Sequence, residues 1–521
     1  MENRKAKSGF HIVRYSVNRS DVPLFINEDI EEGPKASIII GPNGSGKSRV
    51  LASIVEELTV LWNIRESYRS SDIENHDIAP RLPLFPRTRT GSETLLGHDA
   101  NPNTTLSYWL DGAHWETQRE ENKAYVWKNG LQVNVSDLQL PDKVLAIAHL
   151  PIDKFKYAPR SDRAFYHYMG LRQTGNMTST GSIESGTFFD FLNVIKNGSI
   201  ANLERNWFES LELRLPVFGQ VSIESKRLAY ADTQDVFIDR ALGWIARRRG
   251  PATSKLETNF DEITEELRRL WPFINELRSG YTGAPSSVRG GVNFMFELFP
   301  TLARSESAID SIVEVLEIGR RFRILGNFGL CFHKHGRLFP FSELSSGEQH
   351  ILSTVTKIVA NIGGSTAVFI DEPEVSLHPA WQARYVPSLL TTLEDNPHTH
   401  VVIATHSHFL VSDLHPKNGS LTIAKSGKTP SFAAYDGEVF GRSPDNILYR
   451  VFGMGSAGNR YVEHDLKLAL QMISGTGELN EQALREIYER LLPLAAPDNL
   501  ALAEILSSIA TYLENRGNAQ N

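Results

Sequence analysis

Three separated stretches carry residue types at spacings suited to phosphate chemistry. The first is Gly41-Pro42-Asn43-Gly44-Ser45-Gly46-Lys47-Ser48. Its glycines let the backbone turn tightly, so that main-chain N–H groups face phosphate oxygens. Lys47 then reaches the β and γ phosphates of a nucleotide, and Ser48 ligates Mg2+. A plain glycine turn would match the same pattern. The context argues for the loop, because the apolar run Ala36 to Ile40 precedes it and an apolar stripe at helical spacing (Val50, Leu51, Ile54, Val55, Leu58, Leu61) follows.

The second stretch, Leu344-Ser345-Ser346-Gly347-Glu348-Gln349, opens a helical pattern. Its hydroxyls, backbone N–H groups and positive helix end would suit an anion, and Ser-Ser-Gly-Glu would serve equally as a helix cap. The third is AVFIDEPEVSLHP, an apolar strand ending in Asp371 and Glu372, 24 residues beyond Gly347. Asp371 can hold Mg2+ through its water shell, and Glu372 can orient or deprotonate an attacking water. A further apolar strand, HVVIAT, delivers His406 at its tip, 34 residues after Glu372 and within reach of a γ-phosphate.

These residues need a frame. At 521 residues, with 41% hydrophobic and 22% charged, the chain has globular composition and room for more than one domain. A net charge of −8 means that any nucleic-acid contact depends on a local patch. The single cysteine, Cys331, excludes an internal disulfide or a zinc hook and fits a reducing cytoplasm. The basic N-terminus lacks an apolar h-region, and no run of 18 apolar residues occurs, so neither secretion nor a membrane span is expected.

Phe10 to Val17 alternates as a half-buried strand, and residues 66 to 140 mix turn clusters with short aromatic strands. Lys143 to Leu150 is a strand. Beyond it Lys154, Lys156, Arg160, Arg163 and Arg172 interleave with Phe155, Tyr157, Phe165, Tyr166 and Tyr168, a mixture that fits either a nucleic-acid surface or a loop packed by its rings. Helical patterns dominate from Ser185 to Ser279, with Pro272 expected to kink or divide the clearest of them. No heptad persists, so a compact helical lid is expected rather than a coiled-coil arm. Its basic spots, Arg247 to Arg249 and Arg320, Arg321 and Arg323, suit a partner, DNA or solvent. Residues 324 to 341 read as a hairpin turning near His335-Gly336, and His333 and His335 share a face without further metal ligands nearby. Helices are expected near 462–473, 480–492 and 499–514, to pack on the head or dock a partner.

The ordered set resembles the ABC-type ATPases, specifically the non-transport branch with SMC-like and OLD-like heads. The resemblance covers roughly 1–60 and 340–440. It implies an α/β fold: an ABC-type P-loop ATPase head with a large mixed, mainly helical insertion and a helical C-terminal tail. Gly41 to Ser48 would be the Walker A loop, Leu344 to Gln349 the signature, and Asp371 and Glu372 Walker B and the catalytic base. Val375 to His378 would be the D-loop and His406 the switch histidine. The cofactors implied are ATP and Mg2+, with Ser48 and Asp371 on the metal and Lys47, Glu372 and His406 catalytic. The usual Q-loop glutamine is missing after Leu150; His149 or Asp153 stands near that position, and so would a plain strand end.

The corresponding division is a head at 1–62 and 324–440, a β-rich insertion at 63–142, a return strand and Q-loop-like segment at 143–175, a helical lid at 176–323 and a tail at 441–521. In that family the signature of one subunit closes on ATP held by another, which implies a homodimer or higher oligomer. IDKFKY, FYHYMGLR and SPDNILYRVFG also resemble the PtuA-type ATPases of Septu and retron antiphage systems, which work beside a separate HNH nuclease. OLD-type nucleases carry a metal-binding DxD in their C-terminal part; none follows His408, so no nuclease activity is expected in this chain. The other readings are an SMC-like ATPase of DNA repair or maintenance, and a nucleotide-gated scaffold of slow turnover; transport fits least.

Overall fold

The computed structural model describes residues 9–70, 103–248, 260–279, 287–299, 306–441, 460–473, 480–494 and 500–517, with short breaks inside these ranges. Arg160, Arg163 and the SPDNILYRVFG segment lie outside the described residues. Residues 1–441 and 442–521 form two compact units.

The first unit is an α/β structure built on a seven-stranded sheet. Its order is Ser431–Ala434, Gly419–Lys425, Lys35–Ile40, Thr399–Thr405, Thr366–Asp371, Lys143–Ala148 and Tyr166–Tyr168. All neighbours run parallel except the first pair. Strands 35–40, 366–371 and 399–405 are buried along their whole length. That burial explains why they read as continuous apolar runs rather than alternating ones: both faces of the sheet are covered. Helix Lys47–Ser70 packs on the strands at 366–371 and 399–405 through Val50, Leu51, Ile54, Leu58 and Leu61, each fully buried.

A six-stranded antiparallel sheet flanks this core, in the order Ser20–Pro23, His11–Val17, Thr104–Leu110, Ala113–Glu120, Lys123–Lys128 and Leu131–Val133. The N-terminal strand thus belongs with the β-rich segment rather than with the parallel sheet. A buried ion pair joins this sheet to the helix after the glycine loop. Arg119 Nε donates to both Glu57 oxygens at 3.0 and 3.1 Å and its Nη2 to Oε2 at 2.6 Å. Beside it the Tyr15 hydroxyl meets Ser53 Oγ at 2.7 Å.

Within 176–323 the periodicity concealed strands. Leu213–Ile223 and Gly291–Phe299 join Ser287–Val288, Leu325–Lys334 and Arg337–Pro340 in a five-stranded antiparallel sheet. Val217, Val221 and Ile223 are fully buried at even spacing, the strand signature, but Pro216 and Gly219 interrupt the apolar pattern. The hairpin turns at His335-Gly336 as expected. Pro272 lies inside one continuous helix, Phe260–Ser279. Arg320 covers the Phe189 ring at 5.1 Å and Arg321 pairs with Glu266, so those two basic side chains have partners inside the unit.

The second unit contains helices Arg460–Ile473, Glu481–Leu491 and Leu500–Gly517, close to the expected bounds. They share a core of Ala469, Leu484, Ile487, Leu491, Leu502, Leu506 and Ile509. Among the described residues no helix is long and apolar enough to cross a membrane.

Removing one member of a buried ion pair leaves a desolvated charge, at a cost of roughly 3–5 kcal/mol. Glu57→Ala is therefore expected to lower unfolding stability by about that amount in urea titrations, whereas an exposed pair such as Arg14 with Asp21 should change stability by less than about 1 kcal/mol when broken.

Candidate functional site

Strand register assembles the site. Ile40 pairs with Thr405, Ala404 with Asp371, and Asp371 also with Ala148. Gly41, His406, Glu372 and His149 consequently emerge one residue beyond the strand register along one edge, the carboxyl edge at which parallel α/β sheets place ligands.

In the loop, Gly44 and Gly46 have φ of 78° and 88°, the left-handed region that favours glycine. Lys47 Nζ donates to the Gly41 carbonyl at 2.8 Å and to that of Pro42 at 3.0 Å. Burial lowers the pKa of this lysine, and the Glu372, Glu374 and Asp371 carboxylates oppose the shift. Ser45 Oγ is buried without a hydrogen-bond partner, and the Ser48 hydroxyl bonds Asp371. Asn43 is exposed at the loop crest.

Asp371 ends its strand 9% exposed, and burial pushes its pKa up to about 7 against the hydrogen bond from Ser48; Glu372, Asp153 and Glu374 push it in the same direction as burial. Its Oδ1 has no partner. An orphaned, desolvated carboxylate oxygen beside a serine hydroxyl fits a hard cation. Among the described residues no three His, Cys, Asp or Glu side chains cluster tightly enough to hold a metal by themselves.

Glu372 has φ of 52°, a conformation that costs non-glycine residues of order 1 kcal/mol or more, and its N–H is fixed by the Ala404 carbonyl at 2.9 Å. The turn aims its side chain along the strand edge, where Oε1 lies 3.9 Å from His406 Nδ1. A nearer carboxylate was not anticipated from the sequence. Glu374 Oε1 lies 3.1 Å from the same nitrogen and accepts from the His406 backbone N–H at 2.8 Å and from Thr405 Oγ1 at 2.7 Å. Its signal was a third acid, two places beyond Glu372, in the otherwise apolar DEPEVSL turn.

The stretch at 344–349 forms the helix cap that was one of its two readings. Ser345 caps helix Ser346–Asn361 in a capping box: its Oγ accepts from Glu348 N, and Glu348 Oε2 accepts from Ser345 N at 2.7 Å. Glu348 also pairs with Lys334 of the hairpin, Leu344 is buried, and Gln349 Nε2 donates to the Leu344 carbonyl at 2.8 Å. Gly347 packs on the 375–378 turn, where a Cβ would lie 2.6 Å from the Ser376 carbonyl oxygen.

The two Q-loop candidates separate. His149 is 8% exposed, stacks on His350 of the helix at 346–361 with ring centroids 5.3 Å apart, and burial drives its pKa down to about 3. It therefore faces the helix at 346–361. Asp153 accepts from Phe155 N at 3.0 Å and from the Tyr168 hydroxyl at 2.6 Å, and its charge is felt at Asp371. Phe155, Phe165, Tyr166 and Tyr168 are buried, so these rings of the basic-aromatic segment pack the core rather than stack bases.

The model of the family described as AAA domain, putative AbiEii toxin, Type IV TA system, matches residues 237–412. That span contains the 344–349 stretch, Asp371, Glu372 and His406 but not the glycine loop. Protein ea59 of Escherichia phage lambda is 31% identical over 109 residues, 21% of this chain. The match spans 20% of that relative's length. Among solved structures, the SMC head domain from Thermotoga maritima covers 82% of this chain and 100% of its own at 12% identity and a TM-score of 0.29. The recombination mediator protein RecF covers 80% and 96% at 11% identity and a TM-score of 0.28. The chain is an α/β protein whose residues 237–412 match an AAA-domain model.

Asp371 gives a pH prediction. Its folded pKa is raised above the ordinary carboxylate value of 3.8, to about 7, so the folded state binds the extra proton. Stability without divalent cation should fall as pH rises between those values, by an amount of order 4 kcal/mol at the limit. In Mg2+-free and nucleotide-free buffer, Asp371→Asn should therefore melt above wild type at pH 8, and the gap should narrow as pH is lowered towards 4.

Proposed function

We propose that this chain is a cytoplasmic ATPase that dimerises around ATP and controls a partner nuclease in antiphage defence. The observation that carries the ATPase reading is the partnerless Oδ1 of buried Asp371 beside Ser48, with Lys47, Glu372 and His406 on the same strand edge. In this reading Gly41, Pro42, Asn43, Gly44, Ser45 and Gly46 wrap the phosphates with backbone N–H groups, and Lys47 leaves its loop carbonyls for the β and γ oxygens. Ser48 and Asp371 would hold Mg2+, which would supply neutralisation of the phosphate charge. Glu372, set along the edge by its left-handed backbone, accepts the proton of the attacking water. His406 contacts the γ-phosphate. Residues 344–349 of a second copy close the site, the exposed Ser345 and Ser346 offering hydroxyls and the helix its positive end.

The defence assignment rests on the IDKFKY, FYHYMGLR and SPDNILYRVFG resemblance to PtuA-type ATPases. The matching family's description, which speaks of a putative toxin of a toxin–antitoxin system, is in keeping with it. An HNH-type nuclease in trans is the expected effector.

Replacing the base removes proton transfer while leaving binding intact, a loss of about 10²–10⁴-fold in turnover. Glu372→Gln should accordingly retain ATP in a dimer on size exclusion, and Lys47→Ala should lose nucleotide affinity by calorimetry. In a bacterium carrying the gene with its native neighbours, phage plating should be suppressed by wild type and restored in both variants. Unsuppressed plating by wild type across a varied phage panel, with DNA-stimulated ATP turnover, would instead favour a DNA-maintenance ATPase.

A further inference from the structure

The strand tip that carries His406 is held by its backbone neighbours, and from two sides. On one side Glu374 Oε1 accepts from the His406 backbone N–H at 2.8 Å and from Thr405 Oγ1 at 2.7 Å. On the other, Ser407 Oγ donates to Gln382 Oε1 at 2.5 Å, and Gln382 Nε2 donates to the Leu377 carbonyl at 2.8 Å. Leu377 belongs to the 375–378 turn, and Gln382 to the start of helix Pro379–Thr392. One carboxamide thus spans the strand tip and the turn. Its orientation follows from its partners: a carbonyl can only accept, so the NH2 group faces Leu377 and the oxygen is left for the Ser407 hydroxyl. That hydroxyl also accepts from Phe409 N at 3.2 Å, and both Ser407 and Leu377 are buried.

The turn that Gln382 grips is strained. Ser376, directly before Leu377, has φ of 65°, a left-handed backbone that a residue with a side chain keeps only where surrounding bonds hold it. Leu377 N donates to the Glu374 carbonyl at 3.0 Å within the turn, and Gln382 binds the Leu377 carbonyl from outside it. The Ser376 carbonyl oxygen faces Gly347 of the serine-rich helix start, 2.6 Å from where a Cβ would stand. We infer that Gln382 is a positioning residue: its amide ties the backbone around His406 to the 375–378 turn, so that the two are placed together. A pull on the His406 tip by a bound phosphate would then reach the turn and its contact with Gly347. The inference rests on the ATPase reading for its consequence at His406, whereas the tie itself belongs to the unliganded chain.

The test compares the full chain with Gln382→Met, of similar shape but able to make neither bond, and with Ser407→Ala, which removes the hydroxyl at the other end. Amide hydrogen exchange without nucleotide is followed in 374–378, in 405–409 and, as a control, in the strand at 104–110. Ser407→Ala should speed exchange by about fivefold not only in its own segment but also in 374–378, and Gln382→Met should do the same in both, with the control strand unchanged. For ATP turnover, each variant should lower kcat about tenfold with KM within about twofold, and the double variant should lose little more than either alone, because both remove one bridge. Unchanged exchange in 374–378 of Ser407→Ala overturns the inference, even if Gln382→Met fails to fold. So do kcat losses that multiply in the double variant, and so does faster exchange in the control strand, which would mark general loosening. If wild type hydrolyses no ATP, the ATPase reading falls, and the exchange measurement still decides the tie.

Discussion

The structure depends on the parallel register of four strands, those at 35–40, 399–405, 366–371 and 143–148. Because Ile40, Thr405, Asp371 and Ala148 stand nearly level, the glycine loop emerges beside the acidic turn and the histidine tip, which lie hundreds of residues further along the chain. A slip in a sheet with one solvated face would expose its apolar face, which fixes register strongly. Here both faces are buried, so alternation supplies no such constraint. Register must instead come from specific polar bonds, such as that of Ser37 with His400, joined at 2.9 Å across neighbouring strands, and that of Asp142, just before its strand, which accepts from Ser365 N at 2.8 Å.

This arrangement brings three acids, Asp371, Glu372 and Glu374, close to one buried lysine. Burial first, and the neighbouring carboxylates in addition, make the charged form of Asp371 unfavourable in the chain by itself, and a cation would relieve it. The strained φ at Glu372 adds to that cost. Both penalties fall where nucleotide chemistry would use them, while the surrounding strands are locally consistent and fully buried. Local conflict confined to one strand edge is the pattern expected of a functional site in an otherwise well-specified fold.

The same division explains what could be read in advance. The glycine loop, the serine-rich helix start, Asp371 with Glu372, and His406 were legible because their chemistry requires particular residues at strand ends. Glu374 was not, because nothing in DEPEVSL says which way an acid turns after Pro373, and only the folded turn shows it directed inward. The setting of His149 was not legible for a different reason: its stacking on His350 is decided by a helix that begins 197 residues later. The rings at 155, 165, 166 and 168 read as ambiguous between surface and core, and burial settled them. Strands 213–223 and 291–299 were hidden because proline and glycine broke the first pattern and the two pair with each other across a long separation, 213–223 pairing on its other side with the strand at 325–334.

That partner strand also connects the insertion to the site. Lys334, at its end, pairs with Glu348, the acid that completes the cap on the 346–361 helix. A second tie runs from the insertion to the helix after the acidic turn: Trp207 Nε1 donates to Thr392 Oγ1 at 2.8 Å, and Asn202 Nδ2 to Asp395 Oδ2 at 2.9 Å. The insertion therefore grips both the capped helix start and the element that follows Asp371, and Gly347 packs directly on the turn between them. Moving the serine-rich helix start relative to the acidic turn would open the Gly347 contact and strain both ties at once. The strand edge and the five-stranded sheet are thus joined through the Lys334–Glu348 pair.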